Sequence, residues 1–325
     1  MAKVLFLCKQ QYFITKMSRV RFHSMRAIQE INDFKWCGPG WPWYNEDLTV
    51  QENIDNIYRD QEKPDIVVAY KPSDMKGFAD VEQKTCIRYN EMYDKGWTLK
   101  EINETKPDLI VCHHLNDMRE YEELFKKTPL NFDTKMVNIP HSAEKTIYYD
   151  QKKPNKSFDI MLVGAVGVRT MLGSHYPLRD RMYGILGTMS QEGQSCAVLS
   201  HPGGEHLDAY KDRYAKDFAT ALNNTKIAVT CTGVPNSRYG KYVEIPMCGT
   251  AIAGDIPGED QESFNKFVIE INMDMSDEEI INKLRHYAEN DEERNELVKC
   301  GQEWSAEYTQ ERYAERFVET LEYLW

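Results

Sequence analysis

Residues 227–255 hold the feature that most limits how this chain folds: two short apolar runs separated by one short helical segment. The runs are Ile227–Cys231 and Thr250–Ala253, and each has the length and β-branched content of a buried strand. A loop rich in Gly, Pro, Asn and Ser leads from the first run into a predicted helix over Lys241–Cys248, which Gly249 ends. Strand, loop, helix and strand in this order predict a βαβ unit of a parallel sheet.

The loop and the helix start of this unit suit an anion. Arg238 and Lys241 bring positive charge, and free N–H groups near Gly240 add the positive end of the helix dipole. Glu244 lies one turn further into the helix, at a reach suited to the diol of a ribose. These residues predict a site for the phosphates and pentose of a nucleotide. A surface ion pair at a helix start remains the alternative interpretation.

The stretch from Lys241 to Asp255, KYVEIPMCGTAIAGD, resembles the signature of the glycosyltransferase group-1 C-terminal domain, especially that of spore-maturation-type glycosyltransferases. The resemblance spans roughly residues 157–324, with YAKDFATALNNTKIAVT from Tyr214 upstream of the signature. It implies an α/β protein with the GT-B fold: two facing Rossmann-like domains with a cleft between them, and a C-terminal helix crossing back to the N-terminal domain. It implies sugar transfer from a nucleotide-sugar, and it is compatible with a virus-encoded member.

The resemblance also sets the expected domains. A Rossmann-like acceptor domain is expected over 1–151, a Rossmann-like nucleotide-sugar donor domain over 157–305, and a helix packing back on the first domain over 306–325. The length of 325 residues suits two domains better than one. Lys152–Lys156, polar and containing a proline, predicts the hinge between them.

A glycine-rich turn and the resemblance extend the donor site. The sequence GAVG directly follows a predicted strand over Asp159–Val163, and such a turn lets a backbone approach phosphate. An arginine shortly after this turn, and a Ser-His pair in the loop beside the nucleobase, match positions of the family. These donor-binding candidates are Gly164, Gly167, Arg179, Ser200 and His201.

Asn236 departs from the family pattern. Many relatives have a glutamate at this position, where it touches the donor sugar, whereas asparagine accepts a hydrogen bond from a hydroxyl without carrying charge. The identity of the sugar therefore stays open, and so does a non-catalytic nucleotide-sugar-binding protein of the same fold. The donor is expected to be UDP- or GDP-linked, with no further cofactor.

The chemistry expected of this site is metal-independent. Many sugar transferases hold a metal on the diphosphate with a D-x-D pair, and the sequence contains none, so Arg179, Arg238 and Lys241 are expected to supply the positive charge. Retention at the anomeric carbon is implied by the resemblance, and a front-face route needs no enzymic nucleophile. The candidates for a catalytic base are histidines at predicted strand ends: His113, His114 and His141.

The N-terminal half predicts a second parallel sheet with a ligand-binding edge. Its apolar runs each end in polar residues, and the carboxyl ends of parallel strands meet at one edge of a sheet. Basic residues near the first strand and an aromatic loop over Trp36–Tyr44, in which Gly and Pro predict no regular element, add to this edge. The acceptor-binding candidates are Lys9, Arg19, Arg21, Trp41, Trp43, Asn90 and Glu91.

The class of acceptor stays open between two kinds. The net charge of −12 argues against a wholly electrostatic nucleic-acid binder and suits a glycan, a lipid-linked sugar or a small metabolite. Residues 1–35, however, hold seven Lys and Arg residues against Glu30 and Asp33, and an aromatic loop suits a flipped base. A hydroxymethylated base in viral DNA is therefore the alternative acceptor.

Cysteine usage and hydropathy predict the compartment. Eight cysteines are scattered without any C-x-x-C, several of them inside apolar runs, which predicts reduced core thiols and a cytoplasmic protein, in the host cytoplasm if the chain is viral. No apolar run approaches the ~18 residues that span a bilayer. The sequence makes no prediction of the oligomeric state.

Overall fold

A computed structural model describes residues 2–11, 23–171, 173–199 and 212–322 of the chain. The described residues divide into two compact units. The first unit runs to Pro140 and takes in the C-terminal helix from Gln310 onward, and the second unit runs from His141 to Thr309.

Short strands alternate with helices in both units, as a doubly wound fold requires. The strands are β1 (Val4–Leu7), β2 (Phe34–Cys37), β3 (Ile66–Ala69), β4 (Lys84–Tyr89), β5 (Leu109–Cys112), β6 (Lys135–Asn138), β7 (Phe158–Val163), β8 (Arg169–Thr170), β9 (Gly173–Ser174), β10 (Cys196–Leu199), β11 (Thr225–Val229), β12 (Ala251–Gly254) and β13 (Val268–Glu270). The helices are α1 (His23–Ile31), α2 (Val50–Ile57), α3 (Lys95–Thr105), α4 (Leu115–Lys127), α5 (Pro177–Gln191), α6 (Arg213–Asn223), α7 (Lys241–Met247), α8 (Gln261–Phe264), α9 (Asp277–Glu289), α10 (Asp291–Ser305) and α11 (Gln310–Glu322). None of the described helices is long and apolar enough to cross a membrane.

The first unit is built on a parallel sheet whose described strands follow the order β2-β1-β3-β4-β5-β6. The apolar strands β1, β3 and β5 are buried along their whole length, as expected for a parallel sheet covered on both faces. The prediction that Trp36–Tyr44 contains no regular element was wrong at its start, because Trp36 and Cys37 belong to β2. This strand pairs with β1 from Phe34 opposite Val4 to Cys37 opposite Leu7. Phe34 and Trp36 are buried in the core of this unit, and that burial outweighs the Gly and Pro that follow.

The C-terminal helix α11 belongs to the first unit, as the resemblance implies. Tyr313, Phe317 and Leu321 lie on one face of α11 at helical spacing and are buried. They share one apolar core with Met25 and Ile28 of α1. The last turns of the chain thus complete the core of the domain in which the chain begins.

The second unit contains a parallel sheet in the order β10-β7-β11-β12-β13. The stretch that the sequence singled out forms β11, α7 and β12, with β11 and β12 adjacent and parallel. Gly249 ends α7 with a positive φ of 65°, and a Cβ there would lie 2.4 Å from the carboxyl carbon of Asp150. Glycine at this position therefore allows both the turn and the close packing of Asp150.

Residues 141–151 belong to the second unit, whereas the sequence analysis placed the hinge between the domains at Lys152–Lys156. The backbone N–H of Ala143 donates to the carbonyl of Tyr308 over 2.9 Å. Further along, the side-chain amide of Asn223 donates to the carbonyl of Tyr149 over 3.0 Å. Both partners lie far away in sequence, so composition alone does not reveal the attachment of this segment.

Candidate functional site

The strand order of the second sheet changes direction between β7 and β11, which are neighbours in the sheet. Connections leave β7 toward β10 on one side, while β11 and the later strands continue on the other side. Gly164 follows the end of β7, and Thr230 follows the end of β11. In open α/β sheets, ligands bind outside the carboxyl ends of the strands at such a switch point.

Arg179 of α5 brings a buried positive charge to this switch point. Its side chain is 3% exposed, and Nη2 donates to Thr230 Oγ1 over 3.1 Å and to the carbonyl of Cys231 over 3.2 Å. The guanidinium carbon lies 4.1 Å from the ring centroid of Tyr176. Among the described residues no carboxylate forms an ion pair with Arg179, and its buried Nε has no hydrogen-bond partner there. The arginine is therefore a buried cation whose hydrogen-bond partners are neutral, and the nearby negative charge is that of Asp180.

Gly164 lies directly against this guanidinium. Its φ is +109°, and a Cβ at this position would lie 2.6 Å from Nη1 of Arg179 and 2.8 Å from its Cζ. Only glycine combines this backbone conformation with the space that the guanidinium occupies. The structure therefore brings two of the predicted donor-binding residues together.

Gly167 has a different place in the same turn. Its backbone N–H donates to Asp180 Oδ1 over 2.7 Å, and the hydroxyl of Ser174 donates to the other oxygen over 2.6 Å. Burial would by itself raise the pKa of Asp180, but these two hydrogen bonds and the positive charges of Arg169 and Arg179 together hold the pKa below its ordinary value. Gly167 thus helps to close the turn onto the start of α5.

Gly240, Lys241 and Glu244 lie together at the start of α7. Glu244 is 8% exposed, and its side chain folds back so that Oε1 lies 3.4 Å from the position of a Cβ on Gly240. Burial raises the pKa of Tyr214, and the negative charge of Glu244 raises it further, which places this phenol near the carboxylate. Lys241 Nζ lies 5.6 Å from the ring centroid of Phe218. The predicted Lys-Glu pair therefore lies beside an aromatic face of α6.

Asn236 lies in the loop between β11 and α7 with a φ of +51°. Its side-chain Oδ1 and its backbone carbonyl both accept from the N–H of Gly258, each over 3.1 Å. Asparagine adopts this left-handed conformation more readily than glutamate. The departure from the family pattern thus has a backbone reason in this chain.

Arg238 is buried inside an aromatic box rather than open at the loop. Its guanidinium carbon lies 4.2 Å from the ring centroid of Tyr308 and 5.3 Å from that of Trp304, and burial lowers its pKa. Nη2 donates to the backbone carbonyl of His141 over 2.8 Å. The structure therefore brings Arg238 and His141 together through the backbone of His141, and these contacts hold the beginning of the second unit in place.

His113 and His114 are buried at the end of β5, with 3% and 2% of their surface exposed. Nε2 of His113 lies 3.2 Å from the hydroxyl of Tyr313 on α11, and the two rings pack edge to face. The carbonyl of His114 accepts from the thiol of Cys112. Both histidines are packed within the first unit, as part of its core.

Lys9, Trp41 and Trp43 follow the ends of β1 and β2. Lys9 Nζ pairs with Asp74 Oδ1 over 3.1 Å. Trp41 stacks between Trp36 and Trp43, with ring centroids 6.0 and 5.8 Å away, so both faces of its indole are covered. Trp43 is the more exposed of the two tryptophans, at 44%, and acceptor stacking on this loop stays a prediction.

Asn90 and Glu91 lie at the tip of β4 and line a cavity of about 290 Å³. The carboxyl end of β3 lines the same cavity through Tyr70 and Lys71. Asn90 is buried, and its Oδ1 accepts from Nη1 of Arg88 over 3.0 Å. The structure therefore brings these two acceptor-binding candidates to one concave site.

Four predicted site residues lie outside the described residues: Arg19, Arg21, Ser200 and His201. Two residues at the switch point were missed by the sequence analysis. Tyr176 packs against Arg179, and Thr230 accepts its hydrogen bond. Thr230 lies near the carboxyl end of the predicted strand Ile227–Cys231, and a polar residue there could have marked it. Tyr176 carries no comparable signal.

Within the described ranges, no group of three or more His, Cys, Asp or Glu side chains is placed to hold a metal ion. Residues 181–319 match the protein-family model described as glycosyl transferase-like. A search among curated proteins finds no match.

Solved structures with a similar fold span the whole chain. An alpha-glucosyltransferase in complex with UDP-glucose and DNA containing an abasic site has a TM-score of 0.64 at 8% identity, covering 99% of each chain. The DNA-modifying enzyme beta-glucosyltransferase has a TM-score of 0.60 at 10% identity, covering 99% of this chain and 100% of the other. Sucrose-phosphate synthase from Thermosynechococcus elongatus has a TM-score of 0.59 at 10% identity, covering 100% of this chain and 99% of the other. These similarities confirm the predicted α/β fold with two Rossmann-like domains.

Proposed function

We propose that this protein, a glycosyltransferase of the GT-B fold, moves a sugar from a nucleotide-diphosphate sugar to an acceptor hydroxyl, and that Arg179 binds the donor's diphosphate. The acceptor oxygen forms a bond to the anomeric carbon as the bond from that carbon to the diphosphate breaks, and the hydroxyl proton passes to the leaving diphosphate. Negative charge develops on the leaving oxygen before the proton arrives. A cation beside that oxygen stabilises the transition state more than the ground state.

The observation that carries this proposal is the environment of Arg179. A charge that is 3% exposed, and whose hydrogen-bond partners among the described residues are neutral, is costly to bury. An anion that binds at the switch point offsets that cost, and a diphosphate matches the planar fork of a guanidinium. Gly164 has no side chain that would displace the guanidinium from its place against the turn.

Lys241 and Glu244 complete the proposed donor site. We assign Lys241 to the diphosphate and Glu244 to the ribose hydroxyls, because a buried carboxylate that faces a helix start is suited to accept hydrogen bonds from a diol. We also propose that the reaction retains the anomeric configuration and that these cations neutralise the leaving group without a metal. The similar alpha-glucosyltransferase was solved with UDP-glucose, which supports a UDP-linked donor.

A thermal-shift series with UDP-glucose, UDP-N-acetylglucosamine and GDP-mannose tests the donor assignment. A donor that binds only the folded state raises the melting temperature, and at a fixed concentration the rise grows with the logarithm of its affinity. We expect one nucleotide-sugar to stabilise the protein and to be hydrolysed slowly without acceptor. Absence of stabilisation by every donor at millimolar concentration would contradict the proposal. An NMR spectrum of the product, read for the anomeric proton, tests retention.

In the second candidate function, the acceptor of the sugar is a hydroxymethylated base in DNA. Two structures that match the chain over 99% of its length are an alpha-glucosyltransferase in complex with DNA containing an abasic site and a DNA-modifying beta-glucosyltransferase. The test is transfer to a duplex that contains 5-hydroxymethylcytosine, together with a DNA shift assay at low and high salt. No binding at low salt would eliminate this acceptor, because the phosphate backbone supplies most of such affinity.

A further inference from the structure

Asp255 directly follows β12, the neighbour of β11 in the second sheet, and its carboxylate holds the loop that follows β11. Oδ1 accepts from the backbone N–H of Thr232 over 2.8 Å, and Oδ2 accepts from the hydroxyl of the same residue over 2.8 Å. Thr232 is 1% exposed. Both oxygens of one carboxylate therefore fix a single buried residue between β11 and α7.

The same aspartate is connected to α7 through Tyr242. The hydroxyl of Tyr242 donates to the backbone carbonyl of Asp255 over 2.6 Å and lies 3.2 Å from Oδ1. Its ring is fully buried and packs edge to face on Phe264, with the ring centroids 5.4 Å apart. Burial and the negative charge of Asp255 raise the pKa of Tyr242, so the phenol is protonated at neutral pH and can donate. The first turn of α7 is thus anchored at Asp255.

Gly254 lets the ends of β11 and β12 approach this anchor closely. A Cβ at Gly254 would lie 2.6 Å from the carbonyl oxygen of Thr230 and 3.2 Å from the hydroxyl of Tyr242. The backbone N–H of Thr230 also donates to the carbonyl of Ala253 over 2.9 Å. Two strand ends and one helix start therefore meet without space for an added methyl group.

A second connection joins the same two loops. The backbone carbonyl and Oδ1 of Asn236 both accept from the N–H of Gly258. The loop between β11 and α7 is therefore held at Thr232 and again at Asn236 by the segment that follows β12. This arrangement restricts how far the loop can move relative to the strands.

The two cations assigned to the diphosphate both lie next to partners of Asp255. Arg179 donates to the two residues that directly precede Thr232. Lys241 directly precedes Tyr242 in α7. The spacing between the two cations thus depends on hydrogen bonds that meet at Asp255. A diphosphate has a fixed distance between its phosphates, so its affinity depends on that spacing.

We propose that Asp255 is a positioning residue of the donor site, which fixes the spacing of Arg179 and Lys241 without binding the donor itself. The proposal rests on the proposed function, in which these two cations bind the diphosphate. Both carboxylate oxygens of Asp255 already accept hydrogen bonds from the protein. A carboxylate that faced a diphosphate would repel it, whereas one that holds a loop through neutral donors organises the site.

Calorimetric titration of the full-length protein with UDP and with UMP tests this role. Asp255→Ala should raise the Kd of UDP about tenfold or more, because a displacement of about 1 Å between binding groups costs up to about 100-fold. The Kd of UMP should stay within about twofold of the wild-type value, since one phosphate does not bridge the two cations. Asp255→Asn keeps the shape of the side chain and an acceptor oxygen, so it should restore most of the affinity for UDP.

Tyr242→Phe is the second variant, because it removes one buried hydroxyl and leaves the ring in place. It should raise the Kd of UDP about three- to tenfold, the effect of one hydrogen bond. If Asp255→Ala fails to fold, an unchanged Kd of UDP in Tyr242→Phe overturns the proposal.

Asp108→Ala is the matched control for a loss of stability alone. Asp108 of the first unit also accepts from the N–H and the hydroxyl of one threonine, Thr85, over 2.9 and 3.2 Å. This variant should lower the melting temperature and leave the Kd of UDP unchanged.

Three results with Asp255→Ala would overturn the proposal and leave the donor site standing. They are an unchanged Kd of UDP, an equal loss of affinity for UDP and UMP, and tighter UDP binding that Asp255→Asn shares. The last result would mean that the carboxylate acts on the donor through its charge. If the wild type binds neither UDP nor GDP, the proposed function itself is contradicted, and the role of Asp255 fails with it.

Discussion

Replacing Arg179 by methionine separates binding from stability more sharply than any other change in the donor site. Methionine is of comparable length and apolar, so it removes the charge while filling much of the same space. The substitution removes two hydrogen bonds, to Thr230 and to Cys231, and the contact with the ring of Tyr176. It also removes a buried cation whose hydrogen-bond partners among the described residues are neutral.

In this variant, stabilising and destabilising contributions to the free energy of unfolding nearly cancel. Two hydrogen bonds from a charged donor contribute about 1.5–3 kcal/mol each. The contact with a desolvated ring adds about 2 kcal/mol. Against these, the penalty for burying an ion is several kcal/mol and disappears with the charge. We therefore expect the free energy of unfolding to change by no more than about 2 kcal/mol in either direction.

For donor binding, no opposing contribution compensates for the loss of the positive charge. Removing one partner of a buried charge pair costs about 2–5 kcal/mol, which weakens binding by roughly 30-fold to several thousand-fold. At a donor concentration of about 100 times the wild-type Kd, the wild type gains about 2.7 kcal/mol of stability. A variant that binds about 30-fold more weakly gains only about 0.9 kcal/mol at that concentration.

Urea unfolding with and without the stabilising nucleotide-sugar measures both quantities on one sample. Arg181→Met is the matched control, because Arg181 lies on the same helix but pairs with Asp277 at the surface. It should keep the full gain from the donor. If Arg179→Met keeps that gain as well, Arg179 does not bind the donor. If both Arg179→Met and Arg179→Lys fail to fold, the contacts of the guanidinium are required for folding and the expected near balance is wrong.

Three further changes test neighbouring features. Gly164→Ala should weaken donor stabilisation and lower the melting temperature, because its φ of +109° disfavours a side chain and the new Cβ would displace the guanidinium of Arg179. Arg238→Lys should lower the free energy of unfolding by about 1–3 kcal/mol without changing the donor KM, because an ammonium cannot stack on Tyr308 as a guanidinium does. Burial lowers the pKa of Lys156 from 10.5 to about 8, so the unfolded chain binds more protons between these values and the free energy of unfolding should rise with pH there. Lys156→Met should lack this rise when urea unfolding is compared at about pH 7.5 and about pH 9.5.

Much of the architecture is readable from local sequence. The apolar runs at β1, β3, β5, β7 and β11 predict strands close to those observed, because buried parallel strands need consecutive apolar residues bounded by turns. Strand β2 was not predicted, because its four residues lead directly into a Gly-Pro loop. Its burial depends on β1, which no local pattern reports.

The candidate sites divide in the same way. Gly164 and Arg179 were identified by a turn motif and a family resemblance, and the structure places them in contact. The sequence predicted that Arg238 brings positive charge to a loop that binds the donor. The structure instead packs its guanidinium against Trp304 and Tyr308, about 70 residues downstream. The fate of a charged side chain depends on which distant groups pack around it, and local spacing does not encode that.

The sequence by itself determined most of the order of strands and helices and the position of the glycine turn after β7, because backbone propensity and turn chemistry act over a few neighbouring residues. Only the tertiary structure decided which charges are buried. Arg179 is buried by residues that the second sheet brings together, because desolvation depends on the whole surrounding volume rather than on adjacent residues.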